Sequence, residues 1–347
     1  MNSSAFTIEQ RVDPLVADAE NDTPTIIPAA YPNAKSFLCS YPLGTYTCLR
    51  AHWRSHTIDS YQPLQLNFHL DRLKTGFVLS SDRQGSSQAI GFTEIALCST
   101  KTLVERLLEH CALSRMRPAP VLLLTILWSY DTKALDRNLL IAILVSRMPQ
   151  ISPHQKMDTR RYALVYGQPR VLPACKDSSW IFNRRQIEEY KEEVQKKLSD
   201  GILIEVVLVD KAREAGVPRL LEGLITNVFV VQDGQVWTAK EGILHGSMSQ
   251  LVIKACAALQ IPIIQESPSY NDRNLWQAAF LTIRVMSPIG VILWDPSVFT
   301  DENSFKEAPG NSSEWEQTDL SRQETKHSRE LVEKIYDYIV SQLFETE

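Results

Sequence analysis

Apolar residues recur at helical spacing in two stretches of the first half of the chain. Leu66, Leu70 and Leu73 form one stripe within residues 64–79, and a second stripe lies within residues 102–113. Residues three or four positions apart share one face of a helix, so both stretches are predicted to be amphipathic helices. Each helix is expected to bury its stripe against a neighbouring element.

Three other runs in this half have the composition of β-strands. A short β-prone run covers residues 46–50, and two strongly apolar runs cover residues 121–128 and 139–146. The two apolar runs are separated by a short segment that contains polar residues, so they are predicted to be adjacent buried strands of one sheet. Together with the helices, these strands predict an α/β domain.

The second half of the chain alternates between predicted helices and strands. A charged helix is predicted over residues 183–198 and a strand over residues 202–209. Residues 226–231 and 235–238 are predicted to be two strands joined by Asp233-Gly234, because this residue pair accepts the positive φ angles of a tight hairpin. This half is therefore predicted to be β-rich.

The C-terminal region combines two predicted helices with a polar segment. Residues 249–259 are predicted to be a helix that starts after Gly246. Residues 300–323 are polar and poor in aliphatic side chains, which predicts an exposed loop. Ser321 and Glu324 have the spacing of a capping box. The box precedes a predicted closing helix whose inner face comprises Leu331, Ile335, Ile339 and Leu343.

The length of the chain favours two domains. A chain of 347 residues is long enough for two domains of ordinary size. Residues 1–34, rich in acidic and hydroxyl side chains, are predicted to be a disordered tail. A small N-terminal domain then covers residues 35–165, and a larger domain covers residues 174–347. Residues 166–173 contain two prolines, which favour extended backbone, and are predicted to be the interdomain connection.

Charge and composition exclude several classes of partner. The 36 Lys and Arg against 41 Asp and Glu give a net charge of −5, so no cationic field attracts a nucleic acid. The longest apolar runs have half or less of the roughly 20 residues that a membrane span needs. The first 33 residues lack the features of a secretory signal. We therefore predict a cytoplasmic protein that binds neither nucleic acid nor membrane.

Several common cofactor and metal motifs are missing from the sequence. It contains no GxGxxG and no GxxxxGK[ST], which excludes two common ways of binding a nucleotide phosphate. The six cysteines are scattered, with no CxxC pair and no Cys/His cluster at zinc-ligand spacing. We therefore predict reduced thiols and no metal site.

Five short motifs follow one another along the chain. They are HxxRL, LPACKDSSW, EGxxxN, ILxG and an FLT strand that a Ser-Pro pair follows. Taken singly, each has an ordinary structural explanation, such as a surface lysine, a turn carboxylate or a helix cap. The residues in them that could carry chemistry are Arg72, Lys176, Glu222, Gly246 and Thr282.

In this order, the motifs resemble the fold type IV pyridoxal-phosphate enzymes. That family includes branched-chain aminotransferases, D-amino-acid aminotransferases and aminodeoxychorismate lyases. The resemblance runs from about residue 41 to 293 and is strongest over residues 172–288. It implies a two-domain α/β (α+β) fold, with a small N-terminal α/β domain and a larger C-terminal β-rich domain. It also implies a homodimer with pyridoxal 5'-phosphate (PLP) in the cleft between the domains.

The resemblance implies a role for each motif residue. Lys176 would form a Schiff base with PLP and then move the α-proton of the substrate. Glu222 would keep the pyridine nitrogen protonated, so that the ring can accept electrons. The cofactor phosphate would bind Arg72 and main-chain N–H groups at the helix after Gly246, where the helix dipole favours negative charge. Ser247, Met248 and Thr282 complete the implied phosphate-binding set.

Three positions depart from the family pattern. Gly246-Ser-Met248 replaces the usual Gly-Ile-Thr, so one hydroxyl ligand is lost unless Ser247 or Ser249 replaces it. Arg284 follows the strand threonine where a small residue is usual, and it could bind phosphate, bind a substrate carboxylate or block the pocket. The usual His-Arg-Gly near the start is replaced by residues 44–50, in which Arg50 is a second candidate for the substrate carboxylate.

We therefore interpret the chain as a PLP-dependent aminotransferase whose substrate is a small molecule, either an amino acid or a keto acid. Transamination is favoured because it needs only Lys176, Glu222 and a carboxylate anchor. Two alternatives stay open. One is an aminodeoxychorismate-type lyase. The other is a catalytically inactive family member used as a binding protein, because Met248 and Arg284 alter the phosphate site.

Overall fold

The structure is a computed structural model that describes residues 5–12, 24–54, 60–83, 89–114, 119–130, 139–148, 159–210, 217–283, 286–294 and 316–344. These residues form two compact units. The first unit comprises the described residues up to 148 together with Cys175–Asn183, and the second comprises those of 159–174 and 184–344. Helices accompany a β-sheet in each unit, which confirms the predicted α/β (α+β) class.

The first unit is built on one antiparallel sheet. Its strands are β1 (Ala5–Val12), β2 (Ile27–Pro28), β3 (Gly44–Arg54), β4 (Ser60–Pro63), β5 (Val121–Tyr130) and β6 (Leu139–Arg147). Its helices are α1 (Ala34–Cys39), α2 (Leu66–Arg83), α3 (Ala89–Leu113) and α4 (Trp180–Asn183). Within the described residues, the strand order is β2-β1-β6-β5-β3-β4. The predicted pairing of the two long apolar runs is confirmed, because β5 and β6 are neighbours.

Helices α2 and α3 pack on this sheet through the predicted stripes. Leu70 and Leu73 of α2, and Leu103 and Leu107 of α3, are at most 2% exposed. They belong to one hydrophobic core that includes Leu49 of β3. Full burial of an aliphatic side chain contributes about 1.5–3 kcal/mol, so the stripes decide which helix face meets the sheet.

The predicted disordered tail over residues 1–34 is wrong for the part that the structure describes. Strand β1 pairs with β6 along its full length, and β2 pairs with β1 on its other side. Ile8 and Val12 of β1 are buried in the hydrophobic core. The polar residues between these two side chains interrupt the apolar pattern, so the composition of this region suggested a solvated segment.

The segment that carries Lys176 belongs to the first unit, whereas the sequence predicted it within the larger domain. Tyr46 N donates a hydrogen bond to Lys176 O at 2.9 Å, and Ser178 N donates to Gly44 O at 2.9 Å. The lysine segment is therefore paired with the first residues of β3. The prediction that residues 166–173 form the interdomain connection stays a prediction.

The second unit is built on a mixed sheet. Its strands are β7 (Arg161–Val165), β8 (Ile202–Asp210), β9 (Arg219–Gly223), β10 (Asn227–Gln232), β11 (Gln235–Trp237), β12 (Ile263–Ile264), β13 (Ala278–Thr282), β14 (Met286–Ile289), β15 (Val291–Trp294) and β16 (Glu316–Asp319). Its helices are α5 (Arg185–Lys197), α6 (Ser247–Ala258) and α7 (Lys326–Phe344), with 3-10 turns at Tyr270–Leu275 and Leu320–Arg322. Among the described strands, the order is β12-β11-β10-β9-β8-β7-β15-β16, and β13 pairs with both β10 and β14.

The hairpin predicted around Asp233-Gly234 is confirmed. Strands β10 and β11 are antiparallel neighbours joined at this point. Asp233 and Gly234 have φ angles of 51° and 72°, the left-handed region that a tight hairpin requires. The helix α5 also lies within the charged stretch that predicted a helix, and β8 lies where the alternating stretch predicted a strand.

The predicted exposed loop over residues 300–323 is wrong at its C-terminal end. Residues 300–315 lie outside the described residues, but Glu316–Asp319 forms strand β16 and pairs with β15. Leu320, which follows it, is 2% exposed. The hydrogen bonds of this polar strand come from a neighbour distant in sequence, and the local composition carries no sign of that pairing.

The predicted capping box at Ser321 and Glu324 is also wrong. Ser321 N donates to Asp319 Oδ1 at 3.1 Å, within the 3-10 turn. The box lies four residues later, where Ser328 N donates to Thr325 Oγ1 at 3.1 Å and Thr325 N donates to Ser328 Oγ at 3.0 Å. The inner face of α7 is as predicted, with Leu331, Ile335, Ile339 and Leu343 all buried. None of the described helices combines the length and the apolar character that a membrane crossing requires.

Candidate active site

The loop that carries Lys176 is anchored in the first unit. Cys175 is 1% exposed, and its Sγ lies 3.4 Å from Gly76 O in α2, to which it donates. The Lys176 side chain is half-buried, and its Nζ lies 4.9 Å from the centroid of the Tyr46 ring. A cation over an aromatic face is attracted by the ring quadrupole. The amine is therefore held over β3 by its own chain and by Tyr46.

Thr47, His69 and Arg72 form a buried polar cluster in the same unit. Arg72 Nη2 donates to Thr47 Oγ1 at 2.6 Å, and Thr47 Oγ1 lies 2.7 Å from His69 Nδ1. Arg72 Nη2 also lies 3.2 Å from His69 Nδ1. A guanidinium has donors only, so we assign Nδ1 as the acceptor in both contacts and Nε2 as the protonated nitrogen.

Burial and neighbouring charges set the protonation of this cluster. Burial, together with the charges of Arg72 and Lys176, lowers the pKa of His69 to about 2. Burial also lowers the pKa of Arg72 to about 10. At neutral pH, His69 is therefore uncharged and Arg72 is a buried cation. A buried guanidinium is well suited to bind an anion with paired oxygens.

A His69→Gln variant is expected to weaken the pH dependence of stability between pH 7 and pH 5. The folded protein keeps His69 unprotonated down to a pKa of about 2, whereas the imidazole of the unfolded chain titrates near 6.5. The unfolded state therefore binds the extra proton below pH 6.5, and this residue costs about 2 kcal/mol of stability at pH 5.

Urea unfolding of wild type and variant at the two pH values measures this effect. His327→Gln, a change at an exposed position of α7, is the matched control. If His69→Gln and wild type lose the same stability between pH 7 and pH 5, the assignment of a neutral, buried His69 side chain in the folded protein is wrong.

In the second unit, three polar residues lie side by side on neighbouring strands. Glu222 of β9 is the Cα partner of Asn227 of β10, which is in turn the Cα partner of Thr282 of β13. Directly opposed residues of antiparallel strands project to the same face, so the three side chains form a row. They are 4%, 5% and 3% exposed. We call them the polar row.

Glu222 is held at both carboxylate oxygens. Arg170 Nε donates to Glu222 Oε1 at 2.8 Å, and Leu244 N donates to Oε2 at 3.0 Å. The Arg170 and Glu222 side chains are 7% and 5% exposed. Arg170 also donates to Pro173 O. Each carboxylate oxygen has two lone pairs, so Glu222 can accept a further hydrogen bond while it stays fixed in place.

The N-terminus of helix α6 lies against the polar row. Gly246 precedes the helix, and its cap position has no side-chain hydrogen bond. A Cβ at residue 246 would lie 2.4 Å from Asn227 Oδ1, so any larger residue would force the Asn227 side chain to move. The first N–H groups of a helix have no intrahelical acceptor, and the helix dipole favours an anion there.

The hydroxyl of Thr282 is buried without a hydrogen-bond partner among the described residues. Buried hydroxyls almost always have a partner, and an unsatisfied one costs about 1–3 kcal/mol. Thr282 lies beside Asn227 in the polar row, and Asn227 contacts Gly246. An anion bound at the start of α6 would supply the missing partner.

The remaining predicted residues contribute less to these clusters. Met248 is 5% exposed, and Ser247 is half-buried in the first turn of α6. Arg50 is half-buried and lies four residues beyond Tyr46, about 13 Å along β3. Burial and the charges of Arg50 and Arg54 lower the pKa of His52 to about 4. Arg284 lies outside the described residues.

Comparison with known protein families shows to which family this chain belongs. Residues 53–289, about two thirds of the chain, match the family model described as Amino-transferase class IV. The chain belongs to the class IV aminotransferase family. It is therefore an aminotransferase-like enzyme of a PLP-dependent family, as the motifs predicted. No curated protein sequence gave a significant match.

Solved structures show the same fold as this class IV aminotransferase. A fold IV-transaminase from Curtobacterium pusillum has a TM-score of 0.56 and 17% identity, covering 89% of this chain and 95% of its own. A putative branched-chain aminotransferase from Thermotoga maritima has a TM-score of 0.52 and 16% identity, covering 96% of each chain. The branched-chain aminotransferase from Thermoproteus uzoniensis with norvaline has a TM-score of 0.53 and 16% identity, covering 96% of this chain and 97% of its own. The predicted fold type IV architecture is confirmed.

Sequence reasoning missed the role of His69, which lies in the HxxRL motif, and four further residues of these clusters. Tyr46 and Thr47 lie in a run that was predicted only as a strand, although alternation along β3 could have assigned them to opposite faces. Asn227 closes the EGxxxN motif but received no role. Arg170 lies in the predicted interdomain connection, and nothing in the sequence indicates its ion pair with Glu222.

Proposed function

We propose that this class IV aminotransferase transfers the amino group of an amino acid to a keto acid, with PLP as its cofactor. The polar row is the observation that carries the proposal. It combines a fixed carboxylate, Glu222, with an unsatisfied hydroxyl, Thr282, near the N-terminus of α6. A ligand with a protonated ring nitrogen at one end and a phosphate at the other would satisfy both groups.

In each unit, the residue types suit one part of PLP. Lys176 Nζ would hold the aldehyde carbon of the cofactor, and Glu222 would accept a hydrogen bond from its protonated pyridine nitrogen. When bound, PLP withdraws electrons from the substrate α-carbon. The phosphate would be held by Arg72, Thr282 and the segment formed by Gly246, Ser247 and Met248.

The chain's own residues would then control the proton and the charges. Lys176 Nζ would remove the proton from the substrate α-carbon, with the Tyr46 ring fixing the direction of the amine. Neutral His69 would avoid repelling Lys176 and Arg72, since a second cation there would oppose both. Arg170 would keep Glu222 oriented and charged through their buried ion pair. Arg284, with Arg50 as the other candidate, would anchor the substrate carboxylate.

A half-reaction tests the proposed transamination. The purified protein is saturated with PLP and mixed with a panel of L- and D-amino acids in the absence of keto acid. We expect at least one amino acid to bleach the visible absorption band in a single turnover, because the amino group stays on the cofactor. Added keto acid should restore the band.

The two alternatives give different outcomes in the same assay. Release of pyruvate from aminodeoxychorismate, with no amino acid bleaching the band, would replace the transaminase with a lyase. A protein that shows no response to either class of substrate would support the inactive binding protein.

We further propose a cytoplasmic homodimer, for which light scattering should give twice the mass of the chain.

A further inference from the structure

Asn227 connects Glu222 to the start of helix α6 through a single peptide segment. Its Nδ2 donates to Leu244 O at 2.8 Å, while Leu244 N donates to Glu222 Oε2 at 3.0 Å. The residue that fixes one oxygen of Glu222 is therefore itself held by Asn227. Two residues further along, Gly246 packs against Asn227 Oδ1 and begins helix α6.

We infer that Asn227 is a positioning residue that sets the distance between Glu222 and the N-terminus of α6. The inference rests on the proposed function, in which these two groups bind opposite ends of PLP. Asn227 acts through Leu244 and Gly246 and does not touch the reacting atoms. Its role is to allow both ends of one rigid ligand to be bound at once.

The main chain on which Asn227 lies is fixed from the other side of the turn. Thr226 Oγ1 donates to Glu205 Oε2 at 3.0 Å, and Gly223 N donates to Thr226 O at 2.9 Å. Glu205 is 3% exposed, and its other oxygen accepts from Val206 N at 2.9 Å. The turn between Glu222 and Asn227 is thus held by a buried carboxylate. The amide of Asn227 joins this rigid turn to the segment that leads into helix α6, alongside the hydrogen bond from Leu244 N to Glu222.

A positioning role predicts different effects on a whole ligand and on its parts. Inorganic phosphate needs only the α6 end, and pyridoxal without phosphate needs only the Lys176 and Glu222 end. Loss of the Asn227 link leaves each end able to bind, but it removes the fixed spacing that lets one rigid molecule reach both. The affinity for PLP should therefore fall much more than the affinity for either part.

The experiment compares wild type, Asn227→Ala and a matched control, Thr238→Val. Thr238, which directly follows β11, is also buried, and its Oγ1 donates to Val228 O at 2.8 Å. Dissociation constants are measured for PLP and pyridoxal by absorbance, and for inorganic phosphate by competition with PLP. Urea unfolding of the cofactor-free proteins gives their stabilities.

We expect Asn227→Ala to weaken PLP binding at least tenfold and to change phosphate and pyridoxal binding less than about threefold. Thr238→Val should leave all three constants unchanged, even if it lowers stability as much. If Asn227→Ala does not fold, Asn227→Asp takes its place, because its second oxygen would face Leu244 O and repel it.

Two results would overturn the inference. In one, wild type binds PLP but the Asn227 variants bind it equally well. In the other, the affinities for phosphate or pyridoxal fall by the same factor as that for PLP, which would mean that Asn227 supports one end only. A wild-type protein that binds no PLP would overturn the proposed function, and the inference with it.

Discussion

Lys176→Ala is expected to lower the rate of α-proton removal by at least about 10²–10⁴-fold, the usual contribution of a positioned acid–base group. The Lys176 amine is held over the Tyr46 ring, and its loop is paired with β3. Alanine has no side-chain group that could accept the proton in its place. The rate is measured in a single turnover with saturating PLP and the amino acid found active in the half-reaction.

The control for this variant is Lys240→Ala, a change at an exposed lysine of the second unit. It should retain the wild-type rate. A Lys176→Ala protein that keeps more than a tenth of the wild-type rate would show that another group moves the proton.

Glu222→Gln is expected to retain PLP and to slow α-proton removal by several orders of magnitude. Glutamine carries no charge to stabilise a protonated pyridine. Its NH2 group also replaces one carboxylate oxygen, so it would face either Arg170 Nε or Leu244 N, a donor from which it cannot accept. Both losses act on the rate once the cofactor is bound. Glu222→Asp, which keeps the charge, should be less impaired.

Arg72→Ala should behave in the opposite way. Loss of a charged hydrogen bond to phosphate would weaken PLP binding by about 1.5–3 kcal/mol, with a small effect on the rate at saturating PLP. Affinity and single-turnover rate are measured for both variants. Identical behaviour of Glu222→Gln and Arg72→Ala would show that the division between electronic and binding roles is wrong.

The parts of the fold that were predictable are those encoded by local patterns. The leucine stripes of α2 and α3, the inner face of α7 and the Asp233-Gly234 hairpin depend on residues within a few positions of one another. Strands β1 and β16 could not be predicted in this way. Polar residues interrupt β1 and make up all of β16, and both become strands because β6 and β15, distant in the chain, supply their hydrogen bonds.

The same holds for the candidate site, where the motif residues could be predicted but their contact partners could not. The motifs named Lys176, Glu222 and Gly246, because each residue type is recognisable from its neighbours in the sequence. The partners of these residues were not predictable, since Arg170 reaches Glu222 across 52 positions of chain and Thr47 reaches Arg72 across 25. Strand register, which a single sequence does not reveal, decides such contacts.

The lysine that bonds the cofactor is the most direct test of this account. The PLP-loaded protein is reduced with borohydride, digested, and its labelled peptide is identified by mass spectrometry. We predict a single label on the peptide that contains Cys175-Lys176-Asp177, and none on Lys176→Ala treated in the same way. A label on any other lysine, or no label on a wild-type protein that shows the visible absorption band, would contradict the assignment of Lys176 and the site built around it.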